Sequence, residues 1–256
     1  MTAISMFRRG RAPGASGSGS SGEMPVLEHL TELRRRLFIS LLAVLVGAIA
    51  AFFLSKEIIS FLVTFYRDAT HGKRQALIFT GPLDGLTTRL KIAAYGGVVL
   101  ALPVWLYQLW RFITPALDRR EKNFAIPFVI ASVVLFVIGA VVAMLTLTEA
   151  LSFLFGVGGH ELQPLLTADK YLSLVSLMVI AFGLSFEFPV LLMFLLLARV
   201  VSTAQLRHWR RWAIVLIVAF AAVITPSADP FSMIAMAVPM LLFYEGCIAI
   251  GRVLKR

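Results

Sequence analysis

Two glutamates stand beside arginines in polar stretches of this sequence, and they are the first residues whose types and spacing suggest chemistry. Glu32 comes just before the arginines at positions 34–36, and Glu121 follows Arg119 and Arg120. A carboxylate and a guanidinium form bidentate, charge-assisted hydrogen bonds, so two carboxylates on one surface could hold a ligand that carries two arginines. The alternative is that each glutamate is neutralised by its neighbours on a solvated surface, and these residues taken alone favour that alternative.

Glu187 is a third candidate, because it lies inside a long apolar run rather than in a polar stretch. A charged side chain at the centre of a bilayer costs about 2.5–3.5 kcal/mol or more, so such residues face a protein interior or a water-filled cavity and usually have a role. We therefore expect an intramembrane polar site at Glu187. The alternative is a hydrogen bond to a neighbouring helix, assisted by Ser185.

The sequence offers no set of residues for an enzyme, a metal centre or a cofactor. Its histidines lie outside the apolar runs, its GxSG strings are in the Gly/Ser-rich tail, and HExxH and P-loop motifs are absent. The single cysteine, Cys247, excludes a disulfide within the chain and a cysteine-rich metal site. We expect a protein that is not an enzyme and has no cofactor.

The composition indicates an integral membrane protein. Hydrophobic residues make up 59% of its 256 residues and the mean hydropathy is +0.87, whereas soluble domains are about 45–50% apolar. Residues 1–23 are predicted to be a flexible low-complexity tail, and residues 24–256 an all-α domain with six transmembrane helices. The fifth apolar run is short and the sixth is interrupted by Pro239 and Glu245, so we expect the last two spans to be short. The predicted spans cover residues 37–54, 92–113, 124–148, 171–198, 213–225 and 231–250.

Positive charge in alternate loops predicts the orientation. The segment before the first run and the loops after the second and fourth runs are rich in arginine and lysine, and such loops stay in the cytoplasm. We therefore expect a multi-pass protein of the inner, or cytoplasmic, membrane with both termini in the cytoplasm. The exception is residues 55–91, predicted to be a long outer loop, which also carry several basic residues. The net charge of +10 is explained by this topology rather than by binding to nucleic acid.

An aromatic collar is predicted where the second span ends. Trp105, Tyr107, Trp110 and Phe112 have the ring types that prefer the membrane–water interface. Pro115 then ends the helix, and the basic loop that holds Glu121 begins.

Four short segments of this chain form a recognisable set, and they are HLTELRRRLF at residues 29–38, LALPVWLYQLWRFITPALDRREK at 100–122, FGLSFEFP at 182–189 and TPSADPFS at 225–232. These segments resemble segments of the TatC family, the multispanning core of the twin-arginine protein translocase. The resemblance implies a concave, bowl-like arrangement of helices with short fifth and sixth spans. It also implies a receptor that binds the twin-arginine signal peptides of folded precursor proteins. With single-span TatA/TatB-type subunits, and as a homo-oligomer within that complex, such a receptor supports export driven by the proton-motive force.

The resemblance also assigns roles to residues on the cytoplasmic side. It implies that Glu32 and Glu121, with Arg34 and Arg119 beside them, recognise the paired arginines of export signals. With the resemblance, a ligand site becomes the favoured interpretation of Glu32 and Glu121, in place of a merely solvated surface.

The outer turn between the last two spans departs from the common family form. It has one extra residue, and Met233 stands where a polar amide is usual. Asp229, flanked by Pro226 and Pro230, is expected to form the turn.

Two assignments stay open. The alternative function is a proton-coupled small-molecule transporter that uses Glu187, although a transporter needs a polar site built from several spans and only Glu187 is ionisable at that depth. Glu245 could pair with Arg252 or with Arg111, and the sequence does not choose between them.

Overall fold

The computed structural model describes residues 24–70, 77–113, 125–157 and 166–253, and these are almost entirely helical. Within those ranges the only β-type pairing is an isolated bridge between Ile78 and Thr167. The prediction of an all-α fold is therefore confirmed. The helices are α1 (Met24–Phe53), α2 (Ser55–Ala69), α3 (Asp84–Leu100), α4 (Leu102–Ile113), α5 (Ala125–Val157), α6 (Ala168–Ser185), α7 (Phe188–Leu197), α8 (Thr203–His208), α9 (Arg210–Ile224) and α10 (Pro230–Val253).

The lengths of the helices decide which of them can cross a bilayer. Four described stretches are long and apolar enough, and they are Leu30–Phe53, Ile126–Val157, Ala168–Leu197 and Pro230–Val253. The pair α3 and α4, bent by 49° at Ala101, provides a fifth. The 15 residues of α9 span only about 22 Å of a core of about 30 Å. The predicted number of six spans is therefore not confirmed by length alone.

The predicted shortness of the last two spans holds for α9 but is wrong for α10. The last helix runs without interruption through Pro239 for 24 residues. Proline is tolerated inside membrane helices because neighbouring groups satisfy the freed backbone. Glu245 does not end the helix either, because its charge is paired with that of Arg210.

The segment 55–91 is not the long loop that the sequence predicts. It contains α2, whose Leu62 and Tyr66 are buried against α5 and α6, and α3 already begins at Asp84. The Asp84 carboxylate closes the preceding turn, since it accepts hydrogen bonds from the backbone of Thr80 and Gly81 at 2.7 and 2.8 Å. Part of the basic charge in this segment therefore lies on two packed helices.

Glycine allows α1 and α3 to approach each other backbone to backbone. A Cβ atom on Gly97 would lie 2.7 Å from the Ala48 nitrogen, and one on Gly47 would lie 2.7 Å from the Gly97 carbonyl oxygen. One residue earlier in α3, Gly96 faces Ala51, so the two helices are antiparallel. Small residues permit this close contact between membrane helices. We call the side on which α1 begins the N-terminal face and the other side the opposite face.

A similar contact joins α5 to α6 and supports the main core. A Cβ atom on Gly139 would lie 2.7 Å from the Phe182 carbonyl oxygen, and one on Gly183 would lie 2.5 Å from the Phe136 ring. The main core lies between α2, α5, α6 and α10. A smaller cluster joins α4, α5 and α7, and its centre is Trp110, whose ring stacks on that of Phe128 at 4.9 Å.

We predict that Gly97→Val destabilises the protein by about 1–3 kcal/mol, because the added methyl groups would collide with the backbone of α1. Thermal unfolding of the purified protein in detergent measures this. Gly246→Ala is the matched control, since a Cβ atom there has nothing within 4 Å and alanine favours a helix by about 0.5–1 kcal/mol. An unchanged melting temperature for Gly97→Val would show that the close contact is dispensable.

Candidate functional site

Glu32 lies on α1, near the N-terminal face, and its partner is Arg36 rather than Arg34. Arg36 Nε donates to the Glu32 carboxylate at 3.0 Å, and a second guanidinium nitrogen of Arg36 also contacts it. The Arg36 side chain is only 13% exposed, whereas that of Glu32 is 41% exposed and Arg34 is exposed. Residues four apart on a helix are neighbours, and such a pair stabilises a helix by about 0.2–0.5 kcal/mol. The pair is therefore weak enough for a ligand to compete with it.

The packing of α1 on α3 and α4 places Glu32 near the level where α4 ends. From the crossing point, residues 32–47 of α1 span about 22 Å at about 1.5 Å per residue. Residues 97–113 of α3 and α4 reach roughly 18 Å towards the same face, because the 49° bend at Ala101 shortens their path. The loop predicted to hold Arg119 and Glu121 starts there. Residues 114–124 lie outside the described residues, so those two assignments stay predictions.

Glu187 lies at a break in the fourth predicted span. The structure divides residues 171–198 between α6 and α7, and Glu187 immediately precedes the first residue of α7. The second residue of α7 is Pro189, which cannot donate a backbone hydrogen bond. The chain nevertheless stays close to helical, since the Glu187 backbone N–H donates to the Leu184 carbonyl at 3.1 Å. The two helices together form one membrane-length stretch.

An apolar groove of about 610 Å³ opens beside Glu187. Its two walls are formed by α4 and α9, and its floor is formed by α6, α7 and α10. Among the described residues that line it, Glu187 is the only ionisable one. Representative lining residues are Trp105, Leu109, Leu184, Leu216, Phe220 and Met240.

A buried hydroxyl links Glu187 to the aromatic end of α4. Ser132 of α5 is fully buried; its oxygen accepts a hydrogen bond from Trp110 Nε1 at 2.8 Å, and its hydroxyl group lies close to the Glu187 side chain. Glu187 Oε1 is buried and has no hydrogen-bond partner among the described residues. Ser185, the predicted helper, donates instead to the Ala181 carbonyl at 2.6 Å.

The aromatic collar is only partly at an interface. Tyr107 is 39% exposed, as expected, but Trp110 is 3% exposed and packs against Phe128 and Phe194. The indole can be buried because its N–H is satisfied by Ser132. Trp110 therefore belongs to the core of the site and not to the collar.

Asp229 in the outer turn is a helix cap. Its Oδ1 accepts a hydrogen bond from the Ser232 backbone at 2.7 Å, its other oxygen accepts one from the Ser227 hydroxyl, and Pro230 is the first residue of α10. Aspartate before a helix-starting proline is a favoured cap. Ala228 has a φ of 49°, which only glycine adopts without cost, in the turn that is one residue longer than usual. Pro226 is exposed.

Glu245 pairs with neither of the two arginines that the sequence suggested. Its two carboxylate oxygens accept hydrogen bonds from Arg210, the first residue of α9. Arg111 donates instead to the Tyr107 hydroxyl at 3.3 Å. The pair joins α10 to α9 at the N-terminal face, and α9 packs mainly on α10.

Three residues of these sites were missed from the sequence. Arg36 carried a usable signal, because it stands four positions after Glu32. Ser132 and Arg210 carried none, because their partners lie more than twenty positions away in the chain. No group of three or more potential metal ligands occurs among the described residues.

Comparisons with known proteins agree with the resemblance. The family model described as "Sec-independent protein translocase protein (TatC)" matches residues 28–239. Proteins of that name from Frankia casuarinae and Aquifex aeolicus are 48% and 39% identical to the chain over 89% and 91% of its length. The match covers 65% of the Frankia protein, less than two thirds, and 97% of the Aquifex protein. A crystal structure of the "Twin Arginine Translocase Receptor- TatC" superposes with a TM-score of 0.74 at 38% identity, covering 89% of this chain and all of that one.

Proposed function

Because the chain belongs to the TatC family of Sec-independent protein translocase proteins, we propose that it is the receptor subunit of a twin-arginine translocase. It binds the twin-arginine signal peptides of folded precursor proteins by recognition and not by catalysis. Together with TatA/TatB-type single-span subunits, it supports export of these precursors, which is driven by the proton-motive force. The observation that supports this proposal is the antiparallel packing of α1 on α3 and α4, which brings Glu32 near the level at which α4 ends.

Recognition of the signal is an exchange of guanidinium groups. Glu32 is half-exposed and already bound to Arg36, so an arginine of the signal shares or replaces that contact. Glu121 offers the second carboxylate, and Arg34 and Arg119 moderate the negative charge of the pair. Replacing one guanidinium by another costs little, which suits a receptor that must later release its ligand.

The groove beside Glu187 suits the apolar part of a signal peptide or a partner helix. Its lining is mostly apolar, and the Glu187 side chain offers a carboxyl group for a hydrogen bond with a polar group of the incoming segment. The short α9 forms one wall, and its Trp212, Leu216 and Val223 are largely exposed. A short span thins the bilayer locally, which lowers the cost of a carboxyl group at this depth.

The transporter alternative is less well supported. The groove has one ionisable side chain among its described lining residues, whereas a coupled transporter needs several polar groups at the midplane. The groove is also open on one side instead of being enclosed between two helical repeats.

We place the protein in the inner, or cytoplasmic, membrane, with the N-terminal face towards the cytoplasm. In a Cys247→Ala background, which removes the only cysteine, we predict that Lys170→Cys is labelled by a membrane-impermeant maleimide added to intact cells and that Arg119→Cys is not. Lys170 is exposed at the opposite face. The reverse labelling pattern would overturn both the orientation and the assignment of the signal site.

Signal recognition is tested at the two carboxylates. We predict that Glu32→Ala and Glu121→Ala each weaken binding of a twin-arginine signal by about tenfold or more, because a hydrogen bond to a charged group is worth about 1.5–3 kcal/mol. Glu121→Lys should nearly abolish binding through repulsion. Crosslinking to the arginine region of the signal, at matched expression, measures this.

The matched control is Glu57→Ala, which removes an exposed carboxylate at the opposite face and should bind the signal normally. A precursor with Lys-Lys in place of Arg-Arg should co-purify poorly with the wild-type protein. Normal crosslinking by both alanine variants would mean that Glu32 and Glu121 are only part of a solvated surface.

Glu187 is tested with two replacements. We predict that Glu187→Gln retains most export, because the amide keeps a donor and an acceptor, and that Glu187→Leu impairs export without unfolding the protein. Export of one precursor and the melting temperature are measured at equal protein levels. If the glutamine variant is as inactive as the leucine variant, Glu187 relays protons and the hydrogen-bonding role is wrong.

A further inference from the structure

A second cavity, of about 620 Å³, lies at the opposite face and is separate from the groove at Glu187. It is formed where α1 ends, where α2 and α3 begin and where α6 begins. The side chains that line it are of two kinds. Two are basic, Lys56 and Arg89, and several are apolar, among them Phe52, Phe79 and Leu86.

The two basic groups have no ion-pair partner among the described residues. Lys56 and Arg89 are both exposed, and neither takes part in any of the salt bridges found in those ranges. Asp169 follows the lining residue Ala168 at the start of α6, and its carboxylate is already bound by Lys91 at 2.7 Å. Within the described part of the chain, neither cation of the cavity is therefore neutralised by a direct ion pair.

A buried polar atom inside the cavity also lacks a partner. Thr88 is 3% exposed and lines the cavity, and its Oγ1 makes no hydrogen bond within the described part of the chain. Buried hydroxyl groups are normally hydrogen-bonded, so an isolated one indicates a ligand that supplies the partner. The hydroxyl and the two cations lie on the same cavity and together suit a phosphate group.

The apolar residues distinguish a lipid from a free anion. Phe79 and Leu86 are 61% and 52% exposed beside the cavity, and Phe52 lies at the end of the membrane-length part of α1. The cavity thus lies at the depth where phospholipid headgroups meet acyl chains. A free phosphate would gain nothing from these apolar side chains, whereas a lipid would lay its glycerol and upper acyl carbons on them.

We propose that this cavity binds the headgroup of an anionic phospholipid from the leaflet at the opposite face. Lys56 and Arg89 hold the phosphate, Thr88 donates a hydrogen bond to it, and the acyl chains extend along Phe79 and Leu86. The lipid joins α2, α3 and α6, which meet here and are also connected by the Lys91–Asp169 pair and by the hydrogen bond from Tyr171 to the Leu62 carbonyl. The positive-inside rule predicts few basic residues on this side of the membrane, and lipid binding gives those that are present a function.

The test is thermal unfolding of the purified full chain in detergent, with phosphatidylglycerol, phosphatidylcholine or inorganic phosphate added. Phosphatidylglycerol should raise the melting temperature, and the other two should not. The variant Lys56→Gln/Arg89→Gln should bind phosphatidylglycerol roughly tenfold more weakly or worse, since each basic residue near an anionic surface contributes to binding. Arg67→Gln/Lys170→Gln, which loses the same charge at exposed positions away from the cavity, should behave like the wild type.

Thr88→Val provides an independent reading. It should raise the melting temperature without lipid, because it removes an unpartnered buried hydroxyl, and should reduce the gain from phosphatidylglycerol. Equal stabilisation by phosphatidylcholine, or by inorganic phosphate, would overturn the proposal in favour of non-specific lipid or a simple anion site. Equal loss in both double variants would show that only net charge matters. If the Lys56→Gln/Arg89→Gln variant bound phosphatidylglycerol normally but no longer associated with a TatA/TatB-type subunit, the cavity would be assigned to a protein partner.

Discussion

The close contact between Gly47 and Gly97 is the constraint on which the signal-binding surface depends. Most apolar residues of α1 are exposed to lipid, so only a narrow stripe of small residues holds this helix to the rest of the protein. Without a hydrophobic driving force between helices in lipid, such contact relies on close backbone packing. Because Glu32 is about 22 Å from the crossing point, a small change in crossing angle would move it by several ångströms relative to the end of α4.

Polar contacts within the apolar bundle determine the shape of the groove. The hydrogen bond from Trp110 to Ser132 joins α4 to α5, and Glu187 lies beside Ser132 at the break between α6 and α7. Its outer wall, α9, packs mainly on α10, and the Arg210–Glu245 pair attaches it at the N-terminal face. The wall therefore has few contacts, and this suits a surface that must admit another helix.

The opposite face has its own set of connections. Tyr171 donates a hydrogen bond to the Leu62 carbonyl at 2.6 Å, and Lys91 binds Asp169, so α2 and α3 are both attached to the start of α6. These contacts explain why a segment rich in basic residues is helical and not a free loop. The charge left over at Lys56 and Arg89 is what makes the nearby cavity suited to an anionic headgroup.

The amino-acid sequence by itself determined the all-α class, the shortness of α9 and the family, since each depends on patterns within a window of about 20 residues. Only the tertiary structure decided which side chains meet. Glu245 pairs with Arg210 and not with Arg111 or Arg252. Ser132, rather than Ser185, lies beside Glu187, and Trp110 is buried instead of lying at the interface. These choices depend on the register and crossing of helices that are distant in the chain, and local pattern does not encode either. The continuity of α10 through Pro239 was likewise decided by its surroundings, because a proline breaks a helix only where no neighbour satisfies the backbone group that it frees.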